Sequence, residues 1–115
     1  MARGMALQCE ARRNIERETL PMWQALLFGF LAGLFGANGV PHFVKGITKE
    51  RYPCMLGNSP VPNLIAGWAS LLIAALLVRA AGSGHDSLAI ILSGAVGALL
   101  IGLFHAAIGA FGRPA

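Results

Sequence analysis

Met22-Trp23-Gln24-Ala25-Leu26-Leu27-Phe28-Gly29-Phe30-Leu31-Ala32-Gly33-Leu34-Phe35-Gly36-Ala37-Asn38-Gly39-Val40 is a run of 19 residues in which only Gln24 and Asn38 carry polar side chains. A helix needs about 20 residues to cross a hydrocarbon core about 30 Å thick, so this run just suffices once its flanks are added. Two more runs of the same kind follow. Val61–Val78 is 18 residues long and closes on Arg79, and Ser87–Gly112 has His105 as its one titratable residue. All three are continuous rather than alternating, and too long for barrel strands, so they read as helices.

The ends of the runs carry local signals. Thr19-Leu20-Pro21 places a proline at a helix start, where its missing N–H costs nothing. Asn38-Gly39-Val40-Pro41 reads as a helix end, because Pro41 disfavours helical geometry at Val40. Ser59-Pro60-Val61-Pro62-Asn63 opens the second helix and Gly82-Ser83-Gly84 closes it, while Asp86 or Ser87 can cap the third. The expected fold is all-α: an integral membrane protein with three transmembrane helices at about 21–39, 61–81 and 87–110, joined by a long loop 41–60.

Composition agrees. The chain has 115 residues, 56% apolar and 12% charged, with a formal net charge of +4. Soluble domains carry about 25% charged residues. The low charge excludes a disordered chain, and the mean hydropathy of +0.64 argues against a soluble domain. Two cysteines are too few for a disulfide scaffold, and no intramolecular disulfide is expected, since Cys9 and Cys54 fall on opposite sides of the membrane.

Residues 1–20 form a polar N-terminal tail, distinct from a single transmembrane domain over 21–115. The tail alternates Arg3, Arg12, Arg13 and Arg17 with Glu10, Glu16 and Glu18, and Leu7, Ala11 and Ile15 recur every fourth residue, as in a short surface helix. A signal peptide is disfavoured by the acidic residues ahead of the apolar run and by the absence of an A-x-A cleavage site. Basic residues fall almost evenly on the two sides, with Lys45, Lys49, Arg51 and Arg113 on one, so charge sets no orientation.

Each span carries a face of small residues. Ala25, Gly29, Ala32, Gly33 and Gly36 share one face of the first; Asn63, Gly67, Ser70 and Ala74 of the second; Gly94, Ala98, Gly102, His105 and Gly109 of the third. Such faces let helix backbones approach closely in lipid. Gly29, Gly33, Gly36, Gly67, Gly94, Ala98 and Gly102 are therefore the expected packing positions, within one chain or between copies.

Chemistry-bearing residues are few. His105 stands within a span, which marks it as a functional candidate, although its place near a helix end also suits a structural role. No acidic residue lies in any span. No Ser-His-Asp, Cys-His, carboxylate-pair or phosphate-loop arrangement can be assembled, so no enzyme and no cofactor are expected. His42, Cys54 and Met55 fit no closed zinc spacing, so no metal is expected either. The loop 41–60 has Phe43 and Tyr52 as interfacial anchors, and Lys45, Lys49 and Arg51 as candidate contacts to lipid headgroups. Asn38, Gly39, Pro41, His42 and Asn63 form a candidate cluster that pins this loop over the helix ends, with His42 as a donor to terminal carbonyls.

The run Asn38-Gly39-Val40-Pro41-His42-Phe43-Val44-Lys45-Gly46-Ile47-Thr48, followed by Pro53, Gly57-Asn58-Ser59-Pro60, Asn63 and Gly67-Trp68, resembles an uncharacterised group of small bacterial integral membrane proteins over roughly residues 22–110. The resemblance implies a multi-pass protein of a bacterial inner membrane and implies no activity. The sequence departs from it at Lys49, where a glycine is expected, and at Cys54-Met55, where aromatic residues are expected. The functional expectation is a non-catalytic structural, accessory or self-assembling component. Its partners would be the bilayer and a homo-oligomer or membrane partner, not nucleic acid. The alternative is an oligomeric transporter or channel with a polar path near His105, Ser70 and Asn63.

Overall fold

The computed structural model describes residues 1–18, 20–82 and 86–110. Among them the regular elements are four helices: α1 (Ala2–Glu18), α2 (Met22–Ile47), α3 (Pro60–Ala81) and α4 (Ser87–Ala107). Thr19, Ser83, Gly84 and Arg113, read above as end signals or flanking charge, lie outside the described residues. The last three helices are long and apolar enough to cross a membrane, which makes this a multi-pass membrane protein.

Local chemistry accounts for most helix ends. Pro60 and Pro62 sit in the first turn of α3 behind Ser59. The Asp86 side chain caps α4 by accepting from the Leu88 N–H at 3.0 Å. α3 stops at Gly82, whose φ of 79° suits glycine.

The expected end of the first span at Asn38-Gly39 is incorrect. α2 runs through Pro41 to Ile47, so the loop is not 41–60 but the shorter segment 48–59. Pro41 cannot donate to the Ala37 carbonyl, a loss of about 3 kcal/mol or more inside a helix. Tertiary packing outweighs it. Residues beyond Pro41 bury against α3, with His42 and Gly46 both buried. A β-carbon added to Gly46 would come within 2.6 Å of the Leu64 backbone. A helix also satisfies backbone groups that lipid cannot.

α2 ends in a Schellman motif. The Glu50 N–H donates to the Lys45 carbonyl at 2.9 Å and the Lys49 N–H to the Gly46 carbonyl at 3.3 Å. The motif puts Lys49 in the left-handed region, with φ of 60°. This is the position where the resemblance leads one to expect glycine.

α2 is the spine. α3 packs antiparallel on it and α4 parallel, while α3 and α4 barely touch each other. Gly29 and Gly33 meet α4 at Ser93 and Gly94; Gly36, Gly39 and Gly46 meet α3 at Ala74, Gly67 and Leu64. A β-carbon on Gly39 would stand 2.9 Å from the Gly67 carbonyl oxygen, so the two backbones need glycine there. Ala98 is half-buried on α4. Gly102 does not pack: open space adjoins it, and Gly97 is buried against the Phe30 carbonyl instead. Eight residues of helix rotate Gly102 about 80° away from Gly94, whereas Gly97 stays on the contact side. α1 stands outside this bundle, exposed over residues 1–15.

Candidate functional site

Six polar side chains, those of Asn38, His42, Tyr52, Asn63, Ser70 and His105, gather towards the end where α2 and α4 finish and α3 begins. Asn63, one turn into α3, is wholly buried. Its Nδ2 donates to the carbonyls of Tyr52 at 2.8 Å, Ser59 at 3.0 Å and Gly57 at 3.5 Å. Its Oδ1 therefore faces His42, whose Nδ1 lies 2.8 Å away. The amide orientation makes His42 Nδ1 the donor, which leaves Nε2 of the neutral ring with a lone pair.

A second chain of bonds runs deeper. Ser70 Oγ donates to the Phe35 carbonyl at 2.7 Å and accepts from Asn38 Nδ2 at 3.5 Å. Asn38 Oδ1 then accepts from His105 Nε2 at 3.0 Å. His105 Nδ1 is left as an acceptor for the Tyr52 hydroxyl at 3.4 Å. The histidine rings approach edge to face with centroids 5.9 Å apart, and Tyr52 stands 5.2 Å from His42 in the same manner. Ser70 lies ten residues into the 22 of α3, so the chain descends about 15 Å from the loop side.

Beside this network is a cleft of about 500 Å³. α2 forms its back with Phe35, Asn38 and His42. Ala66, Ala69, Ser70 and Ile73 of α3 make one wall, Phe104 and His105 of α4 the other, and Cys54, Met55 and Leu56 the roof. The cleft exists because α3 and α4 each hold α2 and not one another.

The structure thus brings together Asn38, His42, Asn63 and His105, with Gly39 and Pro41 on the intervening turn of α2. His42 sits within a helix rather than after its end. It donates to a side chain rather than to a terminal carbonyl, and Asn63 holds the loop carbonyls. Lys49 and Arg51 lie exposed and Lys45 half-buried, and among the described residues none of the three hydrogen-bonds into the network. Lys45 pairs with Glu50 across the C-terminal end of α2. The hydrogen bond from Lys45, then that from Thr48, holds the Glu50 carboxyl below the ordinary carboxylate value.

The sequence marks Tyr52 only as an interfacial anchor. Nothing in its neighbourhood points to His105, 53 residues away. Cys54 is buried and Cys9 exposed, both as free thiols. Among the described residues no three His, Cys, Asp or Glu side chains come together as metal ligands. No protein-family model, curated protein or solved structure matches the chain.

Proposed function

We propose that this protein is a non-catalytic component of a membrane that holds or passes a small molecule in the cleft between α3 and α4. One observation carries the reading. A cleft of about 500 Å³ is lined by His42, His105, Asn38 and Ser70 on helices long and apolar enough to cross a membrane, where such groups are costly unless paired or used. The volume falls within the range of about 300–1,000 Å³ common to ligand pockets. This favours the transport or channel alternative, with His105, Ser70 and Asn38 along the cleft; Asn63, expected on that path, is wholly buried and does not line it. The resemblance over residues 22–110 supports placement in a bacterial inner membrane. Lys49 and Arg51 would meet lipid headgroups there.

Native mass spectrometry on protein in nanodiscs cut from its own membrane tests the reading. The wild type should carry a small-molecule adduct that Ala69→Phe, which fills the cleft, loses. Bare protein in both samples would refute it.

The second reading is an accessory or self-assembling component. It is favoured by the network itself, in which Asn63 and Ser70 end their bonds on backbone carbonyls and so tie loop to helices. Under that reading Ala69→Phe leaves membrane partners recovered in mild detergent unchanged.

A further inference from the structure

The chemistry of the cleft narrows what it can hold. Among the described residues its walls carry no Asp, Glu, Lys or Arg, so an ion entering it would lose its hydration without a counter-charge. Its aromatic and aliphatic walls suit an apolar body. Because α3 and α4 barely touch, the cleft opens between two helices apolar enough to cross a membrane, on a side that lipid would cover.

Two polar functions remain unused. His42 is only 7% exposed, and its Nε2 lone pair has no partner among the described residues. Asn38 gives one amide hydrogen to Ser70, and its second has no partner among them. The two residues are four apart on α2 and both line the cleft, which places their β-carbons about 5–6 Å from each other. An acceptor and a donor on neighbouring turns of one helix face match a group that is itself both donor and acceptor. A hydroxyl is the smallest such group. A carbonyl or ether would leave His42 Nε2 unsatisfied, a penalty comparable to a lost hydrogen bond.

We propose that the cleft binds an uncharged, membrane-dissolved molecule bearing a hydroxyl, which donates to His42 Nε2 and accepts from the Asn38 side-chain amide. This rests on the reading of the cleft as a binding site and adds the class of ligand. Phe35 and Phe104 in the walls suit a hydroxyl carried on a ring.

The test uses the intact protein, labelled with ¹⁵N at histidine, in lipid nanodiscs. Three probes share one tail: 4-nonylphenol, its methyl ether 4-nonylanisole, and 4-nonylbenzoate. The phenol should move the His42 Nε2 resonance saturably, at concentrations about tenfold or more below those needed for the anisole. The benzoate should not compete. Ala69→Phe should abolish the response, with Ala66→Leu as the substitute if that variant does not fold. Equal response to phenol and anisole, or tighter binding of the benzoate, would overturn the hydroxyl assignment and leave the binding cleft standing. Silence toward all three probes would overturn both.

Discussion

His42 Nδ1 stands 2.8 Å from Asn63 Oδ1, and the same asparagine amide donates to three carbonyls of the 48–59 segment. One side chain therefore joins α2, α3 and the connection between them. Asn63→Ala removes every one of these bonds at a buried site. The expected loss is about 1–3 kcal/mol, read as a lower melting temperature in detergent together with faster proteolysis of residues 48–59. Unchanged values for both would show that the segment is held by other means.

Lys49 occupies the left-handed position of the α2 Schellman motif, where a side chain costs about 1 kcal/mol relative to glycine. Lys49→Gly should raise stability by roughly that amount in thermal melts. Lys49→Val should lower it, since a β-branched residue fits the left-handed region worse.

Gly33→Ala and Gly102→Ala should differ sharply. A β-carbon at Gly33 collides with the Gly94 carbonyl of α4, while open space adjoins Gly102. The first should cost about 1–3 kcal/mol through overpacking. The second should be neutral or gain up to about 1 kcal/mol from helix propensity. Matched melts in one detergent decide it.

Pro41→Ala restores an N–H within α2. If the helix is continuous there, amide exchange around positions 37–42 should slow and the melting temperature rise. A fall in stability would mean that the ring at Pro41 contributes packing exceeding the bond it forfeits.

The carboxyl of Glu50 sits below its ordinary value of 4.5 because Lys45 and Thr48 favour its charged form. A folded-state value lowered in this way stabilises above the unfolded value and fades as pH falls through the folded one. Melting temperature should therefore decline from about pH 5 downward, and the decline should shrink in Lys45→Met. The site is exposed and salt will weaken the effect.

How far the sequence could be read depended on the range of the physics involved. The three spans were legible because lipid demands a continuous apolar run, and 22–40, 61–78 and 87–112 each meet it locally. Pro41 was misread because its effect on an isolated backbone is local, whereas what carries α2 onward is burial against Leu64 and Asn63, residues of another helix. Gly97 was passed over for Gly102 because a glycine spacing looks alike on any face until the partner helix is known. The network was half visible. His42 and Asn63 fall at one depth by simple counting, but Asn38 meets His105 across 67 residues, and no periodicity encodes that.

The spine arrangement also sets an order of events. α2 and α3 are neighbours along the chain and can associate as soon as both are in the bilayer. α4 arrives last and supplies one whole wall of the cleft, including His105. Until it docks, Asn38 Oδ1 and the Tyr52 hydroxyl lack their His105 partner. The cleft is thus the final product of assembly, and a chain cut short before α4 would keep the α2–α3 pair but lose the wall formed by Phe104 and His105.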